Sequence, residues 1–217
     1  MPPESISNQR KRMAEIIICL KREYPDSRCS LIYESPFQLL VSTILSAQCT
    51  DERVNKVAHK LFTKYPSAKD FEKLQLDTIK KAIYSTGFYN NKAKSIKNMA
   101  KAVIEDHGGQ LPDNLENMVK LPGVGRKTAN VVGSVYFDIP AMPVDTHVFR
   151  VADRIGLTTK AKTPLAAELQ LLKLFPKDKL NIAHHWLILH GRYLCKARRP
   201  ECERCEITTF CRYYSKM

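Results

Sequence analysis

Apolar residues recur at three- and four-residue spacings along most of the chain, which is the pattern of helices that bury one face. Short stretches rich in Pro, Gly, Asn and Asp separate these segments, and no segment alternates apolar and polar residues convincingly, as a half-buried strand does. The pattern predicts helices at about 8–24, 36–47, 51–64, 75–84, 90–107, 114–119, 124–136, 146–155, 163–174 and 181–194. The predicted fold class is therefore all-α.

Local signals support several of these helix starts. Asp51, after Thr50, is a start signal for the third predicted helix. Asp145 precedes an apolar-periodic run that begins at Val148, so we predict that its carboxylate caps the N-terminus of that helix. The sequence has no internal repeat and no low-complexity linker.

Composition and charge narrow the class of protein. A chain of 217 residues with 44% hydrophobic content can bury a core in one compact unit or in two small lobes. Its net charge of +13 predicts a polyanionic partner, and nucleic acid is favoured over a membrane surface because no lipid-anchoring motif is present. The apolar runs are too short to span a bilayer, and Ile16–Leu20 is too short for a signal peptide. We expect a soluble cytoplasmic protein, or a nuclear one in a eukaryote.

A glycine-rich stretch, LPGVGRKTA at Leu121–Ala129, is the first candidate for chemistry. We expect Gly123 and Gly125 to permit positive φ and close approach, so that successive amide N–H groups converge on a phosphate oxygen. The positive end of the following helix adds to this attraction. Such a turn also joins ordinary helices, so by itself it is weak evidence.

Lys127 and Asp145 are candidate catalytic residues, because they supply an amine and a carboxylate. A cation in the first turn of a helix is disfavoured, and partial burial, the neighbouring Arg126 and the helix end would favour the neutral amine, which attacks carbon. A lone lysine in a basic protein is more often a solvated contact to phosphate. Capping would keep Asp145 ionised and rigid, which suits a group that stabilises a cationic sugar or takes up a proton.

A cysteine set with the spacing C-x6-C-x2-C-x5-C predicts a metal centre; it comprises Cys195, Cys202, Cys205 and Cys211. Disulfides are the poorer interpretation, because nothing in the sequence indicates secretion. The spacing alone leaves zinc and an iron–sulfur cluster open. Basic residues surround the cysteines and would present charge to phosphates; they are Lys196, Arg198, Arg199, Arg204 and Arg212.

Four motifs in order, LSAQCTD, LPGVGRKTAN, VDTHVFRV and HHWLILHGR, resemble the endonuclease III family of the helix-hairpin-helix-GPD superfamily of DNA glycosylases. The match runs from about Ser35 to Cys211. The resemblance implies a six-helix barrel at 29–139, with the helix-hairpin-helix at about 115–135. It also implies a second lobe formed by 1–28 and 140–217, whose cluster loop at 195–211 holds a 4Fe-4S cluster through the four cysteines.

The resemblance further implies how the site is assembled. Lys127 and Asp145 would face each other across a cleft that receives a flipped nucleotide. Gln48 and Phe88 correspond to the two loops that insert into the duplex, although many relatives carry leucine where this chain has Phe88. The polar turn around Phe88 favours an exposed side chain, whereas the alternative is a staple in a small core. The predicted DNA-binding residues are Gln48, Phe88, Gly123, Gly125, Arg126 and Thr128.

The activity implied is that of a bifunctional DNA glycosylase and AP lyase, acting as a monomer on double-stranded DNA that contains damaged pyrimidines or abasic sites. Lys127 attacks C1′ and expels the base, Asp145 stabilises positive charge, and β-elimination then cuts the strand. Two alternatives remain at this point: a mismatch-specific thymine or uracil glycosylase on the same scaffold, and a non-catalytic iron–sulfur DNA-binding module. His184, His185 and His190 lie on an apolar helix, where we expect packing and supporting hydrogen bonds and no catalysis.

Overall fold

The computed structural model of the chain describes residues 4–217. Residues 1–3, which the sequence analysis assigns to the lobe with the cluster loop, lie outside the described range. The α-helices are α1 (Ile6–Glu23), α2 (Pro36–Leu45), α3 (Asp51–Lys64), α4 (Ala68–Lys73), α5 (Leu76–Ile83), α6 (Tyr89–His107), α7 (Leu115–Met118), α8 (Arg126–Tyr136), α9 (Thr146–Ile155), α10 (Pro164–Leu174) and α11 (Leu180–Tyr193). No β-strand occurs between residues 4 and 217, so the all-α prediction is confirmed.

The predicted helices all occur, and their ends differ from the structure by no more than about two residues. α4 is absent from the prediction, because its 6 residues are too few to display a helical period. A capping box between Ser67 and Asp70 begins α4, and this sequence signal could have revealed the helix. α8 begins at Arg126, later than predicted, because Gly125 is its N-cap.

The described chain divides into two compact units. Residues 30–139 form one, here called the central unit, and residues 4–29 with 140–217 form the other, here called the terminal unit. In the central unit, α4 and α5 pack on α6, while α2 packs on α8. The largest fully buried side chains of its core are Leu39, Leu40, Leu45, Phe71, Ile79, Ile83, Ile96, Met99 and Met118. α8, which carries Lys127, and α6, which Phe88 directly precedes, are therefore anchored to a packed interior.

The terminal unit has its own core between α1, α9, α10 and α11. α9 packs along α11, and α1 contacts both α10 and α11. The shared core includes Met13, Ile16, Leu20, Val148, Val151, Ala152, Ile155, Leu171, Trp186 and Leu187. None of the helices in residues 4–217 combines the length and the apolar character needed to cross a membrane.

The last part of the chain, residues 195–217, is here called the C-terminal segment, and it contains 3-10 turns but no α-helix. Arg12 of α1 attaches this segment to the rest of the terminal unit. Its guanidinium donates hydrogen bonds to the carbonyl oxygens of Ile155 at 2.9 Å, Gly156 at 2.8 Å and Phe210 at 2.9 Å. This segment is thus held by hydrogen bonds from charged side chains to its carbonyls, and not by an α-helix of its own.

Candidate functional site

The turn between α7 and α8 is a type II β-turn. The N–H of Val124 donates to the carbonyl of Leu121 at 3.0 Å, and Gly123 has φ 76°. A Cβ atom on Gly123 would also lie 2.5 Å from the Cβ of Ser95. Glycine is therefore required at this position both by its backbone conformation and by the space available.

Gly125 differs from what the sequence analysis predicts. Its φ is −85°, so the expectation of a positive φ is wrong at this glycine. A Cβ atom there would meet no other atom within 4 Å, and no side chain caps the helix that Gly125 begins. The N–H groups in the first turn of a helix have no partner within the helix, so this end of α8 is open to the backbone of a ligand.

The hairpin formed by α7 and α8 is packed closely at its base. A Cβ atom on Gly133 of α8 would lie 2.7 Å from the side chain of Leu115 on α7. Ala129 and Val132, on the same helix, are fully buried. The open N-terminus of α8 is therefore presented by a rigid support.

Lys127 lies in the first turn of α8, as predicted, but its side chain is exposed. Our prediction that partial burial of Lys127 would favour its neutral amine is therefore wrong. Arg126 is exposed as well, and Thr128 is half-buried. Lys127 and its neighbours thus form an accessible cationic end to the hairpin.

Asp145 belongs to the terminal unit, where it caps α9. Its Oδ1 accepts a hydrogen bond from the N–H of Val148 at 2.8 Å, so the N-cap prediction is confirmed. The bond holds the half-buried carboxylate in one orientation. Lys127 and Asp145 lie in different units, and their pairing across a cleft stays a prediction.

Gln48 and Phe88, the two predicted insertion residues, both lie in the central unit and are both exposed. Phe88 keeps 62% of its surface accessible, so exposure is confirmed and the alternative of a small-core staple is wrong. Both residues have left-handed backbone conformations, with φ 53° at Gln48 and φ 49° at Phe88. Such conformations are unfavourable for residues other than glycine and persist only where the surroundings enforce them.

Lys92 of α6 is a residue that sequence reasoning missed. It is buried, with 5% of its surface accessible, and its Nζ donates to the carbonyls of Leu45 and Thr86, each at 2.8 Å. Burial lowers the pKa of this amine. In sequence it is one lysine among several on an amphipathic helix, and no pattern distinguishes it.

An aromatic group beside Phe88 was also missed. The rings of Tyr84 and Tyr89 lie 4.7 Å apart between centroids, and Tyr84 is exposed. Phe88 lies between them in the sequence, so the loop presents three aromatic rings in six residues. Rings of this kind stack on nucleic-acid bases.

The four predicted metal ligands are brought together in the C-terminal segment. Cys195, Cys202, Cys205 and Cys211 line one cavity, and each is a half-buried free thiol. Burial raises the pKa of Cys205 to about 11 and raises that of Cys202 as well. Thiolates in such surroundings need a cationic partner, which a metal centre supplies.

Arginines of α9 anchor the chain around these cysteines. Arg154 donates to the Sγ of Cys195 at 3.5 Å and to the carbonyls of Lys196 at 2.6 Å and Ala197 at 2.9 Å. Arg150 donates to the carbonyl of Cys195 at 3.1 Å. The position of the first cysteine is therefore set by side chains from a distant part of the sequence.

The histidines of α11 behave largely as expected. His184 and His190 are buried, which confirms packing positions for both. The Nε2 of His190 lies 3.7 Å from the Sγ of Cys205, and its Nδ1 lies 3.4 Å from the hydroxyl of Tyr24. His190 thus connects the packed helix to the cysteine cavity; the sequence predicts a hydrogen-bonding role for it but does not indicate this partner.

Comparison with known proteins agrees with these features. The family model for HhH-GPD superfamily base excision DNA repair proteins matches residues 41–177. Endonuclease III of Synechocystis sp. is 47% identical over 208 residues, a match that covers 95% of this chain and 94% of that protein. Endonuclease III of Bacillus subtilis is 44% identical over 203 residues, covering 92% and 93% of the two chains.

Solved structures resemble the fold as well. A trapped covalent intermediate of endonuclease III with DNA aligns with a TM-score of 0.88 at 43% identity, covering 94% of this chain and 97% of that one. A thermostable thymine-DNA glycosylase aligns with a TM-score of 0.86 at 29% identity, covering 98% and 100%. Similarity of this kind extends over both units of the chain.

Proposed function

Because the chain belongs to the endonuclease III family, within the HhH-GPD superfamily of base excision DNA repair proteins, we propose that it removes oxidised pyrimidines from duplex DNA through a lysine Schiff base. It is a DNA glycosylase and AP lyase, and the same lysine then cuts the abasic site by β-elimination. The proposal rests on the position of Lys127. This residue supplies an exposed primary amine in the first turn of α8, which follows the glycine turn in the sequence.

The hairpin binds the DNA backbone in this proposal. A phosphate oxygen approaches the open N-terminus of α8 over Gly125, where a side chain would obstruct it. Arg126 and Thr128 lie beside this position and contact the same strand. The net charge of +13 adds a sequence-independent attraction to duplex DNA.

Chemistry begins when the Nζ of Lys127 gives up its ammonium proton to water and, as the neutral amine, attacks C1′ of the flipped nucleotide. The new N–C1′ bond forms as the glycosidic bond breaks, and the base leaves with the bonding electron pair and takes up a proton. The sugar ring opens to an iminium, loss of a C2′ proton expels the 3′ phosphate, and water hydrolyses the iminium to release Lys127. Asp145, held by its N-cap bond, stabilises the cationic sugar and transfers protons.

Gln48 and Phe88 occupy the space that the flipped nucleotide leaves in the duplex. Both side chains are exposed on loops of the central unit, as an inserting residue requires. The ring of Phe88 is larger than the leucine of many relatives. We therefore expect a preference for opposite bases that stack well on an aromatic ring.

We also propose that the four cysteines hold a 4Fe-4S cluster, which supplies structural cross-linking and a DNA-positioning loop. Within residues 4–217, no three His, Cys, Asp or Glu side chains are arranged to hold one metal ion. The proposal instead rests on the family of the chain and on the four cysteines, which line one cavity and would each supply a thiolate to the cluster.

The central unit corresponds, in this proposal, to the six-helix barrel domain, and the terminal unit to the iron–sulfur domain. The enzyme acts as a monomer in the compartment that contains the chromosome, which is the cytoplasm of a prokaryote or the nucleus of a eukaryote. Its membership of a DNA repair family supports this location.

A second candidate function is supported by the thymine-DNA glycosylase, whose fold matches across the whole chain. In that case this chain would use its hairpin and its cysteine loop to remove thymine opposite guanine. Thymine glycol, uracil opposite guanine and thymine opposite guanine, tested as separate duplexes, distinguish the two functions.

Borohydride trapping tests the proposal directly, because it reduces the iminium to a stable protein–DNA adduct. We expect the wild type to form adducts with duplexes carrying an abasic site or thymine glycol. Lys127→Ala and Lys127→Arg abolish both adducts, and the arginine variant retains affinity for the duplex because it keeps the positive charge. Lys120→Ala is the control. It removes an exposed lysine on the other side of the turn and leaves the amine of Lys127 in place.

Each result separates the alternatives. An adduct at the abasic site alone keeps the Schiff-base lyase but assigns another base specificity. Tight DNA binding by the wild type with no adduct on either substrate contradicts the nucleophilic lysine and favours a monofunctional glycosylase. Iron and acid-labile sulfide in the purified protein support the cluster, and zinc without iron contradicts it.

A further inference from the structure

The two insertion loops of the central unit share one buried amine. The Nζ of Lys92 donates to the carbonyl of Leu45 and to the carbonyl of Thr86, each at 2.8 Å. Leu45 is the last residue of α2, three residues before Gln48, and Thr86 lies two residues before Phe88. A single side chain is thus bonded to the base of both loops.

The surroundings explain why a lysine is stable at this buried position. Both of its acceptors are carbonyls at the C-terminal ends of helical segments, α2 and the 3-10 turn Tyr84–Thr86. Carbonyls at such ends lack partners within the helix and carry partial negative charge. The ammonium group of Lys92 therefore gains hydrogen bonds that offset part of its desolvation, and the two helix ends gain a shared donor.

The backbone of the same residue holds the second loop. The N–H of Lys92 donates to the carbonyl of Phe88 at 3.1 Å, in the first turn of α6. Phe88 and Gln48 each have positive φ, a conformation that persists only when neighbouring bonds enforce it. Lys92 is therefore bonded through its backbone to one insertion residue and through its side chain to the chain that leads into both.

We propose that Lys92 is a positioning residue that couples the Gln48 loop to the Phe88 loop, so that both side chains enter the duplex as one unit. This inference rests on the proposed function, in which Gln48 and Phe88 fill the space of the flipped nucleotide. Lys92 touches neither the base nor the sugar in this scheme. Its effect is on the insertion step, and charge-driven binding to undamaged DNA does not depend on it.

Coupling has a direct signature that does not need a variant of Lys92. Gln48→Ala, Phe88→Ala and the double variant are compared in binding to a duplex that carries a tetrahydrofuran abasic analogue. If the loops enter together, either single change already loses most of the insertion, so the double variant binds about tenfold better than the product of the single losses predicts. Independent loops give losses that multiply.

Lys92→Met then tests whether the lysine is the source of the coupling, because methionine keeps much of the length and removes the ammonium. We expect affinity for the analogue duplex to fall about tenfold, affinity for undamaged duplex to stay within about twofold, and the losses of Gln48→Ala and Phe88→Ala to become multiplicative. Fluorescence of 2-aminopurine placed opposite the lesion reports insertion and should lose most of its change.

Lys97→Met is the matched control. Lys97 lies on the same helix, and its Nζ also donates to a backbone carbonyl, that of Glu72, away from both loops. This variant removes a comparable lysine–carbonyl bond, so a general loss of packing in α6 affects both variants alike. Equal effects of the two changes on analogue binding and fluorescence overturn the inference.

The remaining outcomes are also decisive. If Lys92→Met does not fold, the cycle of Gln48→Ala and Phe88→Ala in the wild type still decides, and multiplicative losses there contradict coupling. If neither single variant weakens binding to the analogue duplex, the insertion roles in the proposed function are wrong. Borohydride trapping on single-stranded abasic DNA, which needs no insertion, should be unchanged in Lys92→Met, and its loss would contradict a purely positioning role.

Discussion

The helical hairpin of residues 115–136 and the C-terminal segment of residues 195–217 are held in place by opposite means. The hairpin consists of two helices and a type II turn, and apolar side chains such as Val124 and Val132 anchor it to the core. The C-terminal segment has no α-helix, and Ile207 is its only buried hydrophobic residue. Its carbonyls are instead bonded to arginines of α1 and α9.

The contrast shows which parts of the molecule depend on residues that are distant in the sequence. The hairpin follows from neighbouring residues, because a Pro-Gly turn and a helix with one buried face need little else. The C-terminal segment buries too little apolar surface to order itself. We therefore expect the hairpin to respond to local substitutions, and the C-terminal segment to respond to loss of the arginines that bond it or of the proposed metal centre.

The largest effect should come from Cys205→Ser. If the proposed cluster is present, loss of one ligand should release its iron and lower the free energy of unfolding of the terminal unit by more than about 4 kcal/mol, because the cluster would take the place of a core in this segment. Iron content, visible absorbance and limited proteolysis of residues 195–217 measure the change. Cys19→Ser is the control, because Cys19 is a half-buried cysteine on α1 outside the set, and this variant should keep the iron. Full iron retention in Cys205→Ser would contradict the assignment of Cys205 as a ligand.

Two glycines of the hairpin separate folding from DNA binding. Gly123→Ala should cost about 2–3 kcal/mol of stability, because it forces positive φ on alanine and places its Cβ against Ser95. Gly125→Ala should cost less than about 1 kcal/mol, because its φ is negative and the space is open.

DNA affinity should rank the same two variants differently from stability. Gly125→Ala should weaken binding to duplex DNA despite its stable fold, because the new methyl group stands where a phosphate approaches. Thermal unfolding and fluorescence anisotropy at one salt concentration measure the two quantities. Unchanged affinity in Gly125→Ala would contradict phosphate binding at the start of α8.

Arg154→Met tests the attachment of the C-terminal segment. The guanidinium bonds two carbonyls and lies over the ring of Tyr213 at 4.9 Å, so its loss should cost about 1–3 kcal/mol and speed the release of iron. Arg22→Met removes an ion pair with Glu206 whose side chains are 66% and 43% exposed, and should leave stability nearly unchanged because water and salt screen such a pair. Equal effects of the two variants would show that the carbonyl bonds do not anchor the segment.

The smallest expected effect is a loss of stability at acidic pH that depends on His185. Burial lowers the pKa of His185, on the helix that leads into the C-terminal segment, from 6.5 to about 4. The unfolded chain therefore takes up this proton at a higher pH than the folded protein, so stability is complete above pH 6.5 and falls as the pH drops toward about 4. Relative to His185→Gln, the wild type should lose on the order of 1 kcal/mol between about pH 7 and about pH 5.

Thermal unfolding of the two proteins across this range measures the effect of His185. Parallel profiles would mean that His185 takes up its proton equally in the folded and unfolded states. A profile that is steeper for the variant would reverse the expected sign.

Much of the fold and of the hairpin could be predicted because their causes are local. Apolar spacing predicted every long helix, and the cap at Asp145 followed from its place before an apolar-periodic run. α4 was missed because it is short, although its capping box was present at Ser67. The error at Gly125 has a physical cause: a glycine permits positive φ without requiring it, and a helix N-cap needs an extended backbone.

The amino-acid sequence alone was enough to predict the helices other than α4, the glycine turn, the cysteine set and the family. Three features emerge only from the folded chain: Lys127 is exposed, the cysteines surround one cavity, and Lys92 joins the Gln48 and Phe88 loops. Periodicity and capping depend on residues within a few positions of each other, so they can be found in one dimension. Burial and a bond from Lys92 to a carbonyl 47 residues away depend on how helices pack, and that information exists only in three dimensions.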